Sequence, residues 1–495
     1  MRRILAGAAV LVLVVGVILV VRTLGLASLQ PGPEVPATIE VDAEAAAARL
    51  ARALTFPTIS YLAPQPIDRQ AFVDLHDYIE LSYPLVHEVL GREVVGDLSL
   101  LYCWQGVDSN LPAAVFMAHM DVVPVIPGTE ADWEQPPFDG VIKDGYVWGR
   151  GAMDDKSGVF ALLEAVEALL ADGYRPHRTV YLAFGHDEEL GGYNGARRIA
   201  DLLESRGERD LAFVLDEGGG VIGGLLPGTE RPIAVIGVAE KGYVSFRLSV
   251  EGEGGHSSAP PESTNIGILA RAITRLEQDP FPTRLHGTAL RAFDYLGPEM
   301  SFAPRLVFAN LWLFKPLVVR MMSGRPEMAA MVRTTTAVTM FNAGIKDNVL
   351  PIRASAVVNH RIAQGETIEE VLARDRMVID DDRVRVELAD PDGAKDPSAV
   401  SDIEGAAFAI LAKTIRQTMP QENPIISPFL VIGGTDAKYY SGRSENVFRF
   451  LAVPMDMEDF KRVHGTSERI DIETFATGIR FLQQLIRNLD ELPPE

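Results

Sequence analysis

Short, uninterrupted apolar runs alternate with segments of helical periodicity along most of this chain. Residues 99–103, 113–118, 179–184 and 212–215 read as strands buried on both sides. Between them, residues 157–170 and 197–203 repeat apolar positions at helical spacing. Ahead of them, residues 41–54 predict an alanine-rich helix with its charges on one side, stopped at Phe56-Pro57, and residues 68–90 predict a second helix. Strands alternating with helices imply a mostly parallel sheet flanked by helices, an α/β fold. In such sheets the chemistry sits beyond the carboxyl ends of the strands.

From about Glu240 the pattern changes. Strands at 243–251, 337–341, 354–361 and 383–388 and helices at 265–278 and 366–374 give the order β-α-β-β-α-β, a small α+β unit with helices on one face. Residues 402–419 and 472–489 read as helices that close the larger unit. The expected division is 1–28 a membrane anchor or signal, 29–40 a linker, 41–239 and 393–495 the catalytic domain, and 240–392 the inserted domain.

The first segment differs in kind from the rest. Arg2 and Arg3 precede an apolar run over residues 4–21, which Arg22 closes. The run is at the lower limit for crossing a bilayer and longer than most signal-peptide cores. The flanking arginines place the amino terminus in the cytoplasm and the catalytic part outside it. An uncleaved single-pass helix is the preferred reading; the alternative is a signal removed near Ala27-Ser28, leaving a secreted or periplasmic protein. The proline-rich residues 29–38 read as a tether.

Composition narrows the function classes. With 68 acidic against 46 basic residues, the chain has no electrostatic footprint for nucleic acid. Its single cysteine, Cys103, permits no intrachain disulfide and no thiolate cluster, and its apolar surroundings suit a small buried hydrophobe.

The candidate chemistry lies at the predicted strand ends. His119 and Asp121 are two apart, so an extended backbone sets them side by side, with the imidazole on a metal and the carboxylate behind it. Asp154 follows Gly149-Arg150-Gly151-Ala152-Met153, where glycines allow close backbone approach and one carboxylate can bridge two cations. Asp155 and Lys156 read as its supports. Of the neighbours Glu188 and Glu189, one ligates while the other remains a general base. Asp216 ends a buried strand and completes one metal's set, with Glu217 its rival one residue away, and His464 completes the other. These imidazoles and carboxylates suit paired divalent cations such as zinc. Two dications, about +4, balance Asp154, Glu189, Asp216 and one hydroxide, about −4.

With these residues in this order, the chain resembles the M20 family of metallopeptidases. Further motifs carry the resemblance: Pro57-Thr58-Ile59-Ser60, Gly255-His256-Ser257-Ser258, Asn348-Val349-Leu350-Pro351, Gly433-Gly434-Thr435-Asp436 and His464-Gly465-Thr466-Ser467-Glu468. It is most similar to the carboxypeptidase S and N-fatty-acyl amino acid synthase/hydrolase branch. The resemblance implies a zinc exopeptidase-like catalytic domain with an inserted lid and dimerisation domain. It implies two zinc ions per subunit, other divalent metals being alternatives. One would be held by His119, Asp154 and Asp216, the other by Asp154, Glu189 and His464. Glu188 would be the base and Asp121 would orient His119. The Asp154–Asp155 peptide would be cis. His256 would stabilise the oxyanion, from the partner subunit in dimeric members. Arg361 would bind the substrate carboxylate, with Asn348 and Gly434 nearby.

The implied function is hydrolysis, or reversible formation, of the amide of N-acyl amino acids or short peptides with a free carboxylate. A carboxypeptidase or dipeptidase acting on short peptides is the rival enzyme. A noncatalytic binding protein retaining the fold is the rival from outside catalysis, and it predicts lost ligands or a lost base. Residues 281–331 depart from the family pattern as a long insertion containing Leu306–Phe314 and Val318–Met322, read as extra core or a dimer surface, or else as an apolar channel or membrane-facing patch for an acyl chain.

Overall fold

The computed structural model describes residues 2–62, 64–226 and 228–494. The apolar runs at 114–119 and 180–185 form strands buried at every position, which only a sheet covered on both faces requires. The larger sheet runs Gly91–Val95, Ser99–Trp104, Val180–Gly185, Ala114–His119, Phe213–Asp216, Val447–Arg449 and Ile233–Glu240, and Ile425–Val431 also pairs with Ile233–Glu240. The central strands from Val180–Gly185 to Val447–Arg449 are mutually parallel, and the pairs at the Gly91–Val95 edge are antiparallel. Mixed α/β architecture with a mostly parallel centre is therefore the fold.

Side-chain parity divides the core in two. Phe116, Leu182, Phe213 and Leu215 face a layer built from helices Ala43–Leu54, Lys156–Ala171, Ala406–Thr418 and Ile472–Asn488. Val115, Met117, Tyr181 and Val214 face the opposite layer, with helix Ala196–Ser205 and the short turn Asp436–Tyr440. The expected helix over residues 68–90 is two helices, Arg69–Ser82 and Pro84–Val89, with Tyr83 at the break. Pro84 has no amide hydrogen to donate and restricts the residue before it, so one helix ends and the next begins there.

A second sheet has the order Thr335–Ala343, Arg353–Ile362, Gly242–Glu251, Arg385–Leu388, all antiparallel. Along Arg353–Ile362 alternate residues are buried against helices Asn265–Gln278 and Ile368–Ile379. His360, buried, pairs with Asp375 at 2.8 Å. The small hairpin Gly255–His256 with Val349–Leu350 extends from this unit.

Residues 281–331 fold as four helices, Gly287–Leu296, Phe302–Ala309, Leu311–Ser323 and Pro326–Ala330. Although they interrupt the small unit in sequence, Ala292 and Leu296 pack on Ile233, Val235 and Ile425 of the larger sheet. The stretch 29–38 is not a loose tether. Gln30 accepts Ile426 N–H at 2.8 Å and donates to Ile426 O at 2.9 Å, and Ala37 N donates to Gln417 O at 2.9 Å. Cys103 is half-buried, its thiol pushed upward in pKa by burial.

Candidate metal centre

Each parallel strand delivers a polar residue to the same edge. His119 ends Ala114–His119, Glu188 and Glu189 follow Val180–Gly185 by a few residues, and Glu217 follows Phe213–Asp216. Asp154 arrives on the loop before helix Lys156–Ala171, and the Asp154–Asp155 peptide is cis. Asp155 caps that helix, accepting Gly158 N–H at 3.2 Å through one carboxylate oxygen and lying 3.4 Å from His119 N through the other.

The Asp154 carboxylate lies between two imidazoles. Its Oδ1 is 3.0 Å from His119 Nε2 and its Oδ2 is 2.8 Å from His464 Nε2. His464 Nε2 is also 3.3 Å from Glu189 Oε1. Ligand atoms of His119, Asp154 and Glu189 lie within 4.8 Å of one another, and so do those of His119, Glu188 and Glu217. The expected ligand Asp216 is in neither group. Parity turns it, like Val214, toward the Asp436–Tyr440 layer, where its carboxylate accepts Ala437 N–H at 2.6 Å. Glu217, one residue past the strand end, takes the position beside His119 instead.

Asp121 does more than back His119. His119 Nδ1 is 3.0 Å from the Asp121 carbonyl oxygen and 3.4 Å from its carboxylate, so the shorter contact is to the backbone. The carboxylate accepts the Ser60 hydroxyl at 2.6 Å and the N–H groups of Glu188 and Glu189 at 3.2 Å each. It therefore holds the loop that carries both glutamates. Ser60 and the buried Glu468 are supports not singled out from the sequence, though each lies inside a quoted motif. Glu468 accepts Arg150 Nη1 at 2.6 Å and the N–H groups of Gly151, Met153 and Asp154 at 3.1, 2.8 and 3.2 Å. Arg150 Nη2 in turn donates to Gly465 O at 2.8 Å.

Crowded carboxylates dominate the electrostatics. Burial pushes Glu188, Glu217 and Asp155 well up in pKa, and neighbouring acids add to it: Asp436 and Glu189 for Glu188, Asp154 and Glu188 for Glu217. Hydrogen bonds donated by His464 to Asp154 and Glu189 raise its pKa to about 10. Burial opposes protonation of His119, but Asp121 and Asp154 outweigh it and carry its pKa well up. Oxygen and imidazole donors with this much unneutralised negative charge fit a bound divalent cation.

The remaining expected residues form two other groups. Arg361 stacks over Tyr243, 4.7 Å from the ring centre, and burial lowers its pKa. Its Nη1 lies 3.9 Å from where a Cβ on Gly434 would stand. No ion-pair partner for Arg361 occurs among the described residues. His256 and Asn348 are exposed neighbours on the small hairpin, where Ser257 N donates to Asn348 O at 3.2 Å and His256 Nδ1 meets the Ser258 hydroxyl at 2.8 Å. Among the described residues, nothing bonds His256 to the centre.

A cluster of this composition, at the carboxyl edge of such a sheet, defines a metal-dependent hydrolase of peptide or linear amide bonds. The profile of Peptidase family M20/M25/M40 matches residues 115–488, and the chain belongs to that family. It is 38% identical over 490 residues to a probable carboxypeptidase S-like 2 of Dictyostelium discoideum, covering 97% of this chain and 93% of the relative. It is 37% identical over 486 residues to the N-fatty-acyl-amino acid synthase/hydrolase PM20D1 of Bos taurus, covering 97% and 95%. The crystal structure of the M20 family metallo-carboxypeptidase Sso-CP2 from Sulfolobus solfataricus superposes with a TM-score of 0.64 at 18% identity, covering 92% of this chain and 100% of that one.

Two measurements test this geometry. Glu217→Gln is expected to lower divalent metal content measured by elemental analysis, whereas Asp216→Asn leaves it near wild type; the reverse order would restore Asp216 as ligand. Arg150→Met leaves Glu468 buried and unpaired, so chemical denaturation should show a loss of about 3–5 kcal/mol.

Proposed function

We propose that the chain is a dizinc hydrolase that cleaves, and at equilibrium forms, the amide of N-acyl amino acids bearing a free carboxylate. The observation that carries this reading is the Asp154 carboxylate held between His119 and His464, with Glu188 beside His119 and outside that bridge. His119, Asp154 and Glu217 would hold one ion, and Asp154, Glu189 and His464 the other; other divalent metals suit the same donors. When bound, the ions polarise the scissile carbonyl and lower the pKa of water.

Glu188 takes the proton from the attacking water and delivers it to the leaving nitrogen. Its carboxylate accepts no hydrogen bond from the described residues, and burial raises its pKa. Asp121 keeps Glu188 in place through its backbone N–H.

Arg361 binds the substrate carboxylate. Its guanidinium lacks an acidic partner among the described residues and abuts Gly434, three residues before Ala437, whose N–H meets Asp216 at the edge of the centre. A guanidinium presents its donors in a planar fork that matches a carboxylate. His256 and Asn348 would act on the oxyanion and substrate from a second copy, in a homodimer paired through the small sheet. Coverage of nearly the whole bovine relative, named for N-fatty-acyl amino acids, supports an acyl substrate.

A peptide-cleaving carboxypeptidase or dipeptidase is the second reading, favoured by the name of the Dictyostelium relative. A noncatalytic protein fits poorly, because Glu188 and the full donor set are present. Helix Arg2–Leu24 is long and apolar enough to cross a membrane, and we take it as an uncleaved span with the catalytic part outside the cytoplasm; the alternative is a signal that is removed.

Glu188→Gln should retain metal while kcat falls by roughly 10²–10⁴-fold, and turnover near wild type would remove its role. Across N-acyl amino acids from acetyl to oleoyl, kcat/KM is expected to rise with chain length. A flat profile, with dipeptides cleaved faster, would replace this reading with the peptidase.

A further inference from the structure

The helices between Asn265–Gln278 and Thr335–Ala343 supply nothing to the centre, yet they expose much apolar surface. Helices Phe302–Ala309 and Leu311–Ser323 meet in an elbow bent by 111° at Asn310. On the inner side Val318 and Met322 bury against Leu285 and Ala289. On the outer side Trp312, Leu313, Leu317 and Met321 form a solvent-facing stripe at helical spacing, and Phe302 is exposed at the other arm. The charge here is also unlike the rest. Between Glu299 and Glu327 the chain carries Arg305, Lys315, Arg320 and Arg325 and no acidic residue, in a protein of net charge −22.

This elbow is bound to the carboxyl end of the apolar N-terminal helix. The Asn310 side-chain amide donates to Leu19 O at 3.2 Å and to Thr23 Oγ1 at 3.3 Å. Arg22 Nε donates to Ala309 O at 3.3 Å, and Arg305 Nη2 to Leu26 O at 2.7 Å. Every one of these contacts falls in the last two turns of the helix or just beyond it. The preceding residues 4–18 rise roughly 21 Å at 1.5 Å per residue, and most of them are exposed. A helix so placed in a bilayer emerges where the elbow begins, so the elbow must lie at the height of the lipid headgroups.

We propose that the elbow of Phe302–Ala309 and Leu311–Ser323 rests on the bilayer surface beside the spanning helix. Its stripe of Trp312, Leu313, Leu317 and Met321 enters the headgroup–acyl boundary, and the exposed Lys315 and Arg320 face anionic headgroups. The occupant of this face is the membrane that holds Arg2–Leu24, which supplies the continuity; the inference rests on reading that helix as an uncleaved span. Lys315 and Arg320 are exposed beside the stripe, and their long aliphatic stems let the charges reach the headgroups while the stripe stays apolar.

The test uses the full chain reconstituted in phosphatidylcholine vesicles containing phosphatidylglycerol, with Trp312→Phe as the reference. Flotation after alkaline carbonate reads the span. The emission difference between the two proteins, measured with lipids labelled by a quencher near the headgroup or deep in the acyl chain, reads the elbow. We expect both proteins to float, and the shallow label to quench the Trp312 component at least twofold while the deep label has little effect. Flotation with Trp312 emission unaffected by either label would overturn the elbow contact alone, and shielding of Trp312 by a second copy would give that same result. Failure to float would remove the span reading and the proposal together.

Discussion

The centre depends on one buried cross-tie, the Arg150–Glu468 pair. Its members are 318 residues apart, and both are withdrawn from solvent. Glu468 gathers the backbone donors of Gly151, Met153 and Asp154, while Arg150 grips the carbonyl of Gly465, next to His464. One ion pair thus sets the distance between the bridging carboxylate and an imidazole on a segment from the far end of the chain. Burying two charges is costly unless they are hydrogen-bonded, and here backbone on the loops that carry the ligands bonds to both, leaving Arg150 Nε without a partner among the described residues. The Asp121 carboxylate repeats the device on the other side, tying Ser60 to the glutamate loop.

Around these ties the parallel strands act as a comb. Their carboxyl ends aim several acids into a space where repulsion and burial raise proton affinities. Metal binding relieves that repulsion, so ligation and stability are coupled in this region. The turn at residues 433–437 joins the centre to the guanidinium of Arg361. Close packing constrains this turn: Asp436 Oδ1 lies 1.9 Å from where a Cβ on Gly192 would be, at a φ of +70°, so only glycine fits there.

Much of this was legible in the sequence because burial on both faces leaves an unmistakable run of apolar residues, as in 114–118 and 180–184. His119, Asp154, Glu189 and His464 were legible because their residue types at strand ends have few structural uses. The choice between Asp216 and Glu217 was not legible. Adjacent acids at a strand end differ only in pleat parity, which a sequence leaves open until the strand's last paired residue is known. The break at Tyr83 was written in Pro84 but hidden by continuous apolar spacing. Helix Gly287–Leu296 lies on the larger sheet because Ile233, Val235 and Ile425 offer apolar surface there, a long-range pairing that local pattern does not encode. Gln30 lies in the proline-rich stretch that reads as a tether; only a partner nearly four hundred residues away reveals its role.

That clasp has a consequence for how the chain moves. Because Gln30 inserts as an extra rung beside Ile426, residues 29–38 are stitched to the catalytic body instead of trailing from it. The body cannot swivel about that stretch, and the metal centre keeps a constant bearing toward it. Any soluble version has to begin upstream of Gln30 to keep that rung.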